Sequence, residues 1–331
     1  MSGAGKGGTE LTDYVKQKIA SLAAIRPVRT AREDYGAFWT SMLETRAELG
    51  GRGTRAETDP DLPCVRAYRV ELDGWGGTPV RAWFLLPPPP AEPPYPCLVI
   101  AHGYTGSKGD PEQYAAWLLR GYAVMAYDVR GQGGETGNRA GTDYGAVKGW
   151  IIQGILDKDT CYYKSVVLDT LQAIDWAAAQ PEVDPGRIAM IGGSQGGGLT
   201  LLAAAFHPRV AAAVADIPNM CQMDFGIFNS TGSLAEAAEF VNRHPGHLDR
   251  VLATLSYYDA VNCADRIRCP ILVSVGLRDT VCWPETIYAV YNGIASAHKE
   301  IVPFPFAGHF VPPGHGRTVH AFLKRHVPAF F

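Results

Sequence analysis

Residues 188–196 read Ile188-Ala189-Met190-Ile191-Gly192-Gly193-Ser194-Gln195-Gly196, an apolar run that leads directly into a serine flanked by glycines. A G-x-S-x-G pattern that follows a buried strand and precedes a helix is typical of a sharp strand-to-helix turn. Glycines are needed there because a Cβ would collide with the neighbouring strand or helix. The pattern therefore predicts that Ser194 stands clear of its surroundings at the carboxyl edge of a sheet, as a candidate nucleophile.

On both sides of this turn, short apolar runs alternate with amphipathic helical patterns. Such alternation predicts an α/β fold with a mostly parallel sheet and helices on both faces. We expect one domain over residues 1–331. The expected strands are 97–101, 123–127, 188–191, 211–214, 271–275 and 300–304, and the expected helices are 112–120, 163–179, 195–206, 284–297 and 317–326.

The N-terminal part of the chain has a different pattern. A tail and two helical patterns, 11–24 and 32–49, occupy residues 1–50. Two β-type runs, 67–72 and 80–86, follow with a Gly-rich turn between them, which predicts antiparallel strands at one edge of the sheet. The polar stretch 50–63 is expected to be a loop, and the proline-dense stretch 87–96 an extended connector.

Two long stretches interrupt the alternation of strands and helices. Residues 131–160 are Gly-rich and follow a strand, which indicates a long loop. Residues 218–267 separate two strands by too much chain for a simple crossover. We expect this segment to form a small helical cap over the carboxyl edge of the sheet.

Composition limits the class of protein. The chain has 331 residues, 47% of them hydrophobic, and a formal net charge of -3. No basic stripe is present, so a nucleic-acid partner is not expected. The N-terminus lacks the apolar core of a secretory signal and no apolar run reaches membrane-spanning length. These features predict a cytoplasmic protein with no membrane partner.

Cysteine and histidine spacing gives no indication of a metal or cofactor. The seven cysteines form no C-x-x-C pair and are odd in number, which favours buried thiols over a disulfide framework or a zinc site. The stretch His244-Pro245-Gly246-His247 has no accompanying cluster of Cys or carboxylate residues, so we interpret it as a loop. No dinucleotide-binding or P-loop glycine pattern occurs, and no cofactor is expected.

A serine hydroxyl needs a base to take its proton and an acid to orient that base. On a sheet of this kind the acid and then the histidine follow the serine in chain order. Asp279 follows the strand 271–275, and His309 follows the strand 300–304. Both residues are therefore expected at the same sheet edge as Ser194, Asp279 as the acid and His309 as the base.

Three other side chains compete for these roles. Asp216 ends the strand 211–214 and is the rival acid, although an ordinary loop or capping carboxylate would have the same position. His315 and His320 are the rival bases. We expect His320 inside the last helix, and His315 in a loop or in contact with substrate.

An oxyanion needs two preorganised N–H donors. The amide of Gln195, next to the serine, is one candidate. The other is the amide of Tyr104, because the strand 97–101 ends in His102-Gly103-Tyr104. We interpret His102 as structural. For Arg130 we favour pairing with a carboxylate such as Asp128, or holding the long loop, over contact with a ligand.

The chain resembles the acetyl xylan esterases and cephalosporin C deacetylases, the seventh carbohydrate esterase family, which has the α/β-hydrolase fold. The resemblance extends over nearly the whole chain. It rests on His102-Gly103-Tyr104, Arg130-Gly131-Gln132, Gly149-Trp150, Gly154-Ile155-Leu156-Asp157-Lys158-Asp159-Thr160, Gly192-Gly193-Ser194-Gln195-Gly196-Gly197-Gly198-Leu199, Tyr258-Asp259 with Asp265-Arg266, and Val275-Gly276-Leu277-Arg278-Asp279.

The resemblance implies the same triad of Ser194, Asp279 and His309, the same oxyanion amides, a small ester as substrate, and a homo-oligomer, in this family a hexamer. The chain departs from the family at two positions. Phe310 follows His309 where the family usually has Glu, and Trp283 stands where the family tends to have a small residue or proline. We expect Trp283 and Phe310 to shape the substrate pocket.

The leading hypothesis is a serine esterase that deacetylates acetylated xylo-oligosaccharides or cephalosporin C-like esters through an acyl-enzyme. A non-catalytic ligand-binding protein of the same fold is the alternative from another class. A peptidase of the prolyl-oligopeptidase kind shares the triad order, but those proteins usually carry a large N-terminal propeller, for which the chain before the first core strand is too short.

Overall fold

The computed structural model describes residues 13–139 and 149–329. The expected N-terminal tail and part of the 131–160 loop lie outside these residues. The strands of the described part form one sheet in the order β1-β2-β3-β5-β4-β6-β7-β8-β9. They are β1 Gly53–Thr58, β2 Arg66–Asp73, β3 Pro79–Leu86, β4 Tyr95–Ala101, β5 Ala123–Tyr127, β6 Val183–Gly193, β7 Val210–Asp216, β8 Ile271–Gly276 and β9 Lys299–Phe304.

The expected mixed architecture is confirmed. Strands β1, β2 and β3 are antiparallel to their neighbours, and β3 also pairs antiparallel with β5. The remaining pairs, from β5 through β4 to β9, are parallel. The prediction of a loop over residues 50–63 is wrong, because β1 lies within it. This edge strand is exposed along most of its length, so it has no buried face to give an alternating apolar pattern.

Helices cover both faces of the sheet. Residues 112–120, predicted as one helix, form a 3₁₀ turn at Pro111–Tyr114 and a short α-helix, and the helix predicted over 284–297 ends at Gly293. The α-helices are α1 Asp13–Ala23, α2 Tyr35–Leu49, α3 Ala115–Leu118, α4 Tyr162–Ala178, α5 Gln195–Phe206, α6 Met223–Asn229, α7 Leu234–Arg243, α8 Leu248–Ser256, α9 Pro284–Gly293 and α10 His315–His326.

Alternate residues of the central strand β4 face different cores. Cys97 and Val99 belong to the larger apolar cluster, which includes Leu171 of α4. Leu98 faces the opposite side, where it packs in a cluster with Phe322 of α10. Because both faces of the central strands are covered by apolar side chains, these strands read in the sequence as continuous apolar runs.

The segment between β7 and β8 is helical, as expected, and contains α6, α7 and α8. The description of residues 218–267 as a cap on a single domain stays a prediction. No helix among the described residues is long and apolar enough to cross a bilayer.

All seven cysteines are free thiols. Five of them are buried, as the spacing predicts. Cys64 is exposed and Cys269 is half-buried, so the expectation of buried thiols is wrong for these two positions.

Candidate active site

The turn between β6 and α5 has the strain that the G-x-S-x-G pattern predicts. Ser194 lies at φ 55° and ψ −117°, a backbone conformation that residues other than glycine rarely adopt. A Cβ on Gly192 would lie 2.3 Å from the backbone of Gly196, and a Cβ on Gly196 would lie 2.1 Å from the carbonyl oxygen of Ala101. The two glycines therefore let the helix approach the strands closely enough to hold the serine at the sheet edge.

The three side chains expected to form a triad lie within hydrogen-bond distance of one another. The Nε2 atom of His309 is 2.9 Å from the Oγ atom of Ser194, and its Nδ1 atom is 2.8 Å from Oδ2 of Asp279. Both distances are in the range needed for proton transfer and for orienting an imidazole. They join residues that follow three different strands, β6, β8 and β9.

The carboxylate of Asp279 is fixed by its own loop. Its Oδ1 atom accepts hydrogen bonds from the backbone N–H groups of Val281 and Cys282, at 2.8 and 2.9 Å. Its side chain is fully buried. With Oδ1 occupied by two donors, Oδ2 is left to accept from the imidazole, so the carboxylate has a single orientation toward His309.

The rival residues do not join this arrangement. Asp216 accepts a hydrogen bond from Nε2 of His315 at 2.8 Å, so the rival acid and one rival base are paired with each other. His315 is the first residue of α10 and not a loop residue, and the alternative expectation, contact with substrate, stays a prediction. His320 lies within the same helix, as expected.

The two candidate oxyanion donors belong to chain segments that lie next to Ser194. Gln195 is the first residue of α5, so its N–H is among those with no partner inside the helix. The loop after β4 passes close to the nucleophile, since a Cβ on Gly103 would be 3.7 Å from Cβ of Ser194. Tyr104 follows Gly103 directly in this loop, and the use of its amide as an oxyanion donor stays a prediction.

The phenol of Tyr104 ties the same loop to two other elements. Its hydroxyl donates to Oε2 of Glu236 on α7 at 2.7 Å and accepts from the N–H of Trp150 at 2.8 Å. The rings of Tyr104 and Trp150 meet edge to face, with centroids 5.3 Å apart. The position of the Tyr104 backbone is therefore set by contacts with the 218–267 segment as well as by β4.

Gln132 is a residue whose contribution the sequence did not reveal. Its Oε1 atom accepts from the N–H of Thr105 at 2.9 Å, and its Nε2 atom donates to Oε1 of Gln195 at 2.8 Å. This buried carboxamide thus connects the two chain segments that carry the candidate oxyanion donors. The Arg-Gly-Gln spacing was the available signal, but the contacts join residues far apart in the chain.

Arg130 pairs with a carboxylate, but not with the one suggested. Its guanidinium makes a two-pronged ion pair with Asp169, at 2.7 and 2.8 Å, and both side chains are 1% exposed. Asp128 instead accepts from the backbone and ammonium groups of Lys108. The carbonyl of Arg130 accepts from the hydroxyl of Tyr162, which in turn accepts from Gln132, so the arginine supports the loop that holds this glutamine.

Both ring nitrogens of His102 have backbone partners. Nε2 accepts from the N–H of Val129 at 2.8 Å, which leaves the proton on Nδ1 to donate to the carbonyl of Gly103 at 2.7 Å. Only the neutral imidazole can make both bonds, and burial lowers the pKa of His102 below its usual 6.5. The residue therefore anchors the loop that carries Tyr104 to the end of β5, which agrees with a structural role.

This lowered pKa predicts an acid-dependent loss of stability. Between the folded-state pKa and 6.5 the unfolded chain binds more protons at His102 than the folded chain does, so the free energy of unfolding falls as the pH falls through that window. Urea unfolding above and below pH 6.5 should show a steeper fall for the wild type than for His102→Gln. Equal pH slopes for the two proteins would contradict this account of His102.

Cys282 lies against the same serine. Its buried thiol lies near the Ser194 side chain, and burial together with the nearby charge of Asp279 raises the pKa of the thiol well above its ordinary value. A thiol held protonated is a poor nucleophile. Cys282 therefore packs beside Ser194 without competing with it.

The two residues expected to shape the pocket have different surroundings. The indole N–H of Trp283 donates to the carbonyl of Asn229 at 3.0 Å, and its ring packs edge to face on Phe225 of α6. Phe310, which follows His309, is 54% exposed. Their contribution to a substrate pocket stays a prediction.

No group of three or more His, Cys, Asp or Glu side chains within residues 13–139 and 149–329 has the arrangement of a metal site. The rings of His244 and His247 instead pack against Phe240 of α7.

Comparison with known proteins agrees with the motif resemblance. The family model for acetyl xylan esterases (AXE1) matches residues 14–326. Acetyl esterase Axe7A of Xylanibacter ruminicola is 26% identical over 317 residues, which is 92% of this chain and 69% of that protein.

Two solved structures have the same fold over almost their whole length. The acetyl xylan esterase from Paenibacillus sp. R4 is 35% identical, with a TM-score of 0.88 over 93% of this chain and 99% of that one. Acetyl xylan esterase 1 from Thermoanaerobacterium sp. JW/SL YS485 is 29% identical, with a TM-score of 0.87 over 93% and 98%. The expected α/β-hydrolase fold is confirmed, and the chain belongs to the acetyl xylan esterase family.

Proposed function

We propose that this protein is a serine esterase that removes acetyl groups from small acetylated substrates through an acyl-enzyme. Its family supports a carboxylic ester hydrolase. The observation that carries the serine mechanism is the pair of hydrogen bonds made by His309, 2.9 Å to the Ser194 hydroxyl and 2.8 Å to the Asp279 carboxylate. Acetylated sugars are the proposed substrates because the relatives are named as acetyl and acetyl xylan esterases.

The first half of the reaction uses Ser194 as nucleophile. Its Oγ atom attacks the acetyl carbonyl carbon while His309 Nε2 accepts the hydroxyl proton, and Asp279 stabilises the imidazolium that forms. The amides of Gln195 and Tyr104 donate to the oxyanion of the tetrahedral intermediate. The intermediate then collapses to the acetyl-serine ester, and His309 returns the proton to the departing alcohol oxygen.

The second half repeats this chemistry with water. His309 takes a proton from a water molecule, whose oxygen attacks the acetyl-serine carbonyl carbon. The same two amides support the second oxyanion, and the protonated imidazole returns its proton to the Ser194 oxygen as the acyl bond breaks and acetic acid is released. These steps require no group beyond the side chains and amides already described.

A hydrolysis panel tests this function. Acetylated xylo-oligosaccharides, cephalosporin C and p-nitrophenyl esters of increasing acyl length are compared, with an aminoacyl p-nitroanilide to test the peptidase alternative. We expect hydrolysis of the acetyl esters and none of the anilide. Hydrolysis of no ester would favour the non-catalytic ligand-binding alternative instead.

The acyl preference is expected to depend on Trp283. If the indole limits the acyl pocket, Trp283→Pro should raise the ratio of butyrate to acetate hydrolysis by roughly tenfold, since one methylene group in a pocket changes rates by about 10- to 200-fold. Trp283→Phe is the matched control, because it loses the bond to Asn229 but keeps an aromatic ring. An unchanged ratio of butyrate to acetate hydrolysis in Trp283→Pro would show that Trp283 does not limit the acyl pocket.

A further inference from the structure

A second Asp–His pair lies beside the candidate triad. The Oδ1 atom of Asp216, at the end of β7, accepts from Nε2 of His315 at 2.8 Å and from the hydroxyl of Ser274 at 2.7 Å. The His315 side chain is 3% exposed. Its Nδ1 atom is buried without a hydrogen-bond partner in the described part of the chain, so the bond to Asp216 is what fixes the ring.

His315 lies at one end of the loop that carries His309. This loop, residues 305–314, leaves β9 after Phe304 and enters α10 at His315. The two end residues contact each other, with the ring of Phe304 edge to face on the imidazole of His315 at 5.2 Å. One buried ring therefore holds both ends of the His309 loop.

Asp216 also contacts the nucleophile turn. Its backbone carbonyl accepts from the N–H of Ser194 at 2.9 Å, while its carboxylate holds His315. Asp216 thus joins the turn that carries Ser194 to the end of the loop that carries His309. The His309 loop is also bonded to the loop that carries Asp279, because the N–H of Arg278 donates to the carbonyl of Ala307 at 3.0 Å.

We propose that Asp216 and His315 are a positioning pair that sets the distance between the His309 imidazole and the Ser194 hydroxyl. This inference rests on the proposed serine mechanism. The pair does not replace the triad, since Nε2 of His315 is already committed to Asp216. It matters for rate because a displacement of about 1 Å in a reacting group costs on the order of 10²-fold.

The test compares two substitutions at His315. His315→Leu removes the donor and should lower kcat for p-nitrophenyl acetate by roughly 10- to 100-fold with KM nearly unchanged, because the loss falls on proton transfer and not on binding. His315→Gln places an amide N–H near the former Nε2 position and should recover kcat to within about threefold of the wild type. A stabilising role without positioning would not give this separation of kcat from KM in folded enzyme.

His320→Gln is the matched control on the same helix and should have wild-type kinetics. A folded His315→Leu enzyme with wild-type kcat, or a kcat loss that His315→Gln does not recover, would overturn the proposal. Thermal unfolding of each variant establishes that folded protein is being compared.

Asp216→Asn is the second variant and does not depend on His315→Leu folding. Its amide oxygen still accepts from His315 and Ser274, so a positioning residue should lose less than about tenfold in kcat. A loss near 10⁴-fold, the scale expected for a triad acid, would overturn the positioning role.

The proposed function has its own control. If Ser194→Ala or His309→Ala keeps full activity, the serine mechanism fails. If both lose activity while folded His315→Leu does not, only the positioning pair fails.

Discussion

Ser194→Ala is expected to lower kcat for p-nitrophenyl acetate by on the order of 10⁶-fold, the loss seen when this nucleophile is removed from a serine triad. The reason is that, in the proposed mechanism, the acetyl group is carried by the Ser194 oxygen, which the variant lacks. The thiol beside the serine, Cys282, is held protonated by its burial. The candidate oxyanion amides remain in the variant, but without the Ser194 hydroxyl no side chain attacks the acetyl carbonyl to form the oxyanion that they would stabilise.

The fold of the Ser194→Ala protein should survive. Alanine at φ 55° has the same Cβ as serine, so the strain of the turn does not increase. The side chain loses its hydrogen bond with His309.

Ser256→Ala is the matched control, since Ser256 is also buried and its hydroxyl donates to a backbone carbonyl of its own helix, that of Ala253. It should retain wild-type kcat. Activity in Ser194→Ala near that of Ser256→Ala would contradict the assignment of the nucleophile.

The candidate site could be predicted from the sequence where local pattern and strand order were sufficient. Ser194 follows from a glycine pattern whose steric reason is local. Asp279 and His309 follow because each comes directly after an apolar strand, and the carboxyl ends of parallel strands lie at one edge of a sheet. Those rules place residues near one another without specifying which atoms make hydrogen bonds.

Sequence pattern does not predict which distant side chains pair with each other. The pairing of Arg130 with Asp169 and of Asp216 with His315 depends on how α4 and α10 pack against the sheet. Periodicity shows which face of a helix is apolar, but not which polar group on that helix meets a given partner. The exposed strand β1 escapes prediction for a different reason, because it has no buried face to leave an alternating pattern.

Asp279→Asn is expected to lower kcat by about 10⁴-fold with little change in KM. The Oδ1 acceptor of the side chain is used by the N–H groups of Val281 and Cys282, so the new amide keeps its oxygen there and turns its NH₂ group toward His309. That NH₂ can only donate to Nδ1, which forces the imidazole proton onto Nε2.

An imidazole that carries its proton on Nε2 cannot accept one from Ser194, so the base is present at 2.9 Å but in the wrong tautomer. Asp216→Asn makes the matched comparison, because its side chain faces a histidine that is not within the triad. The kcat values of the two variants should therefore differ by about a thousandfold, given the expected losses of about 10⁴-fold for Asp279→Asn and about tenfold for Asp216→Asn. A larger loss in Asp216→Asn than in Asp279→Asn would make Asp216 the acid. His309 would then have to bond to Asp216 through Nδ1, the atom that now lies 2.8 Å from Asp279.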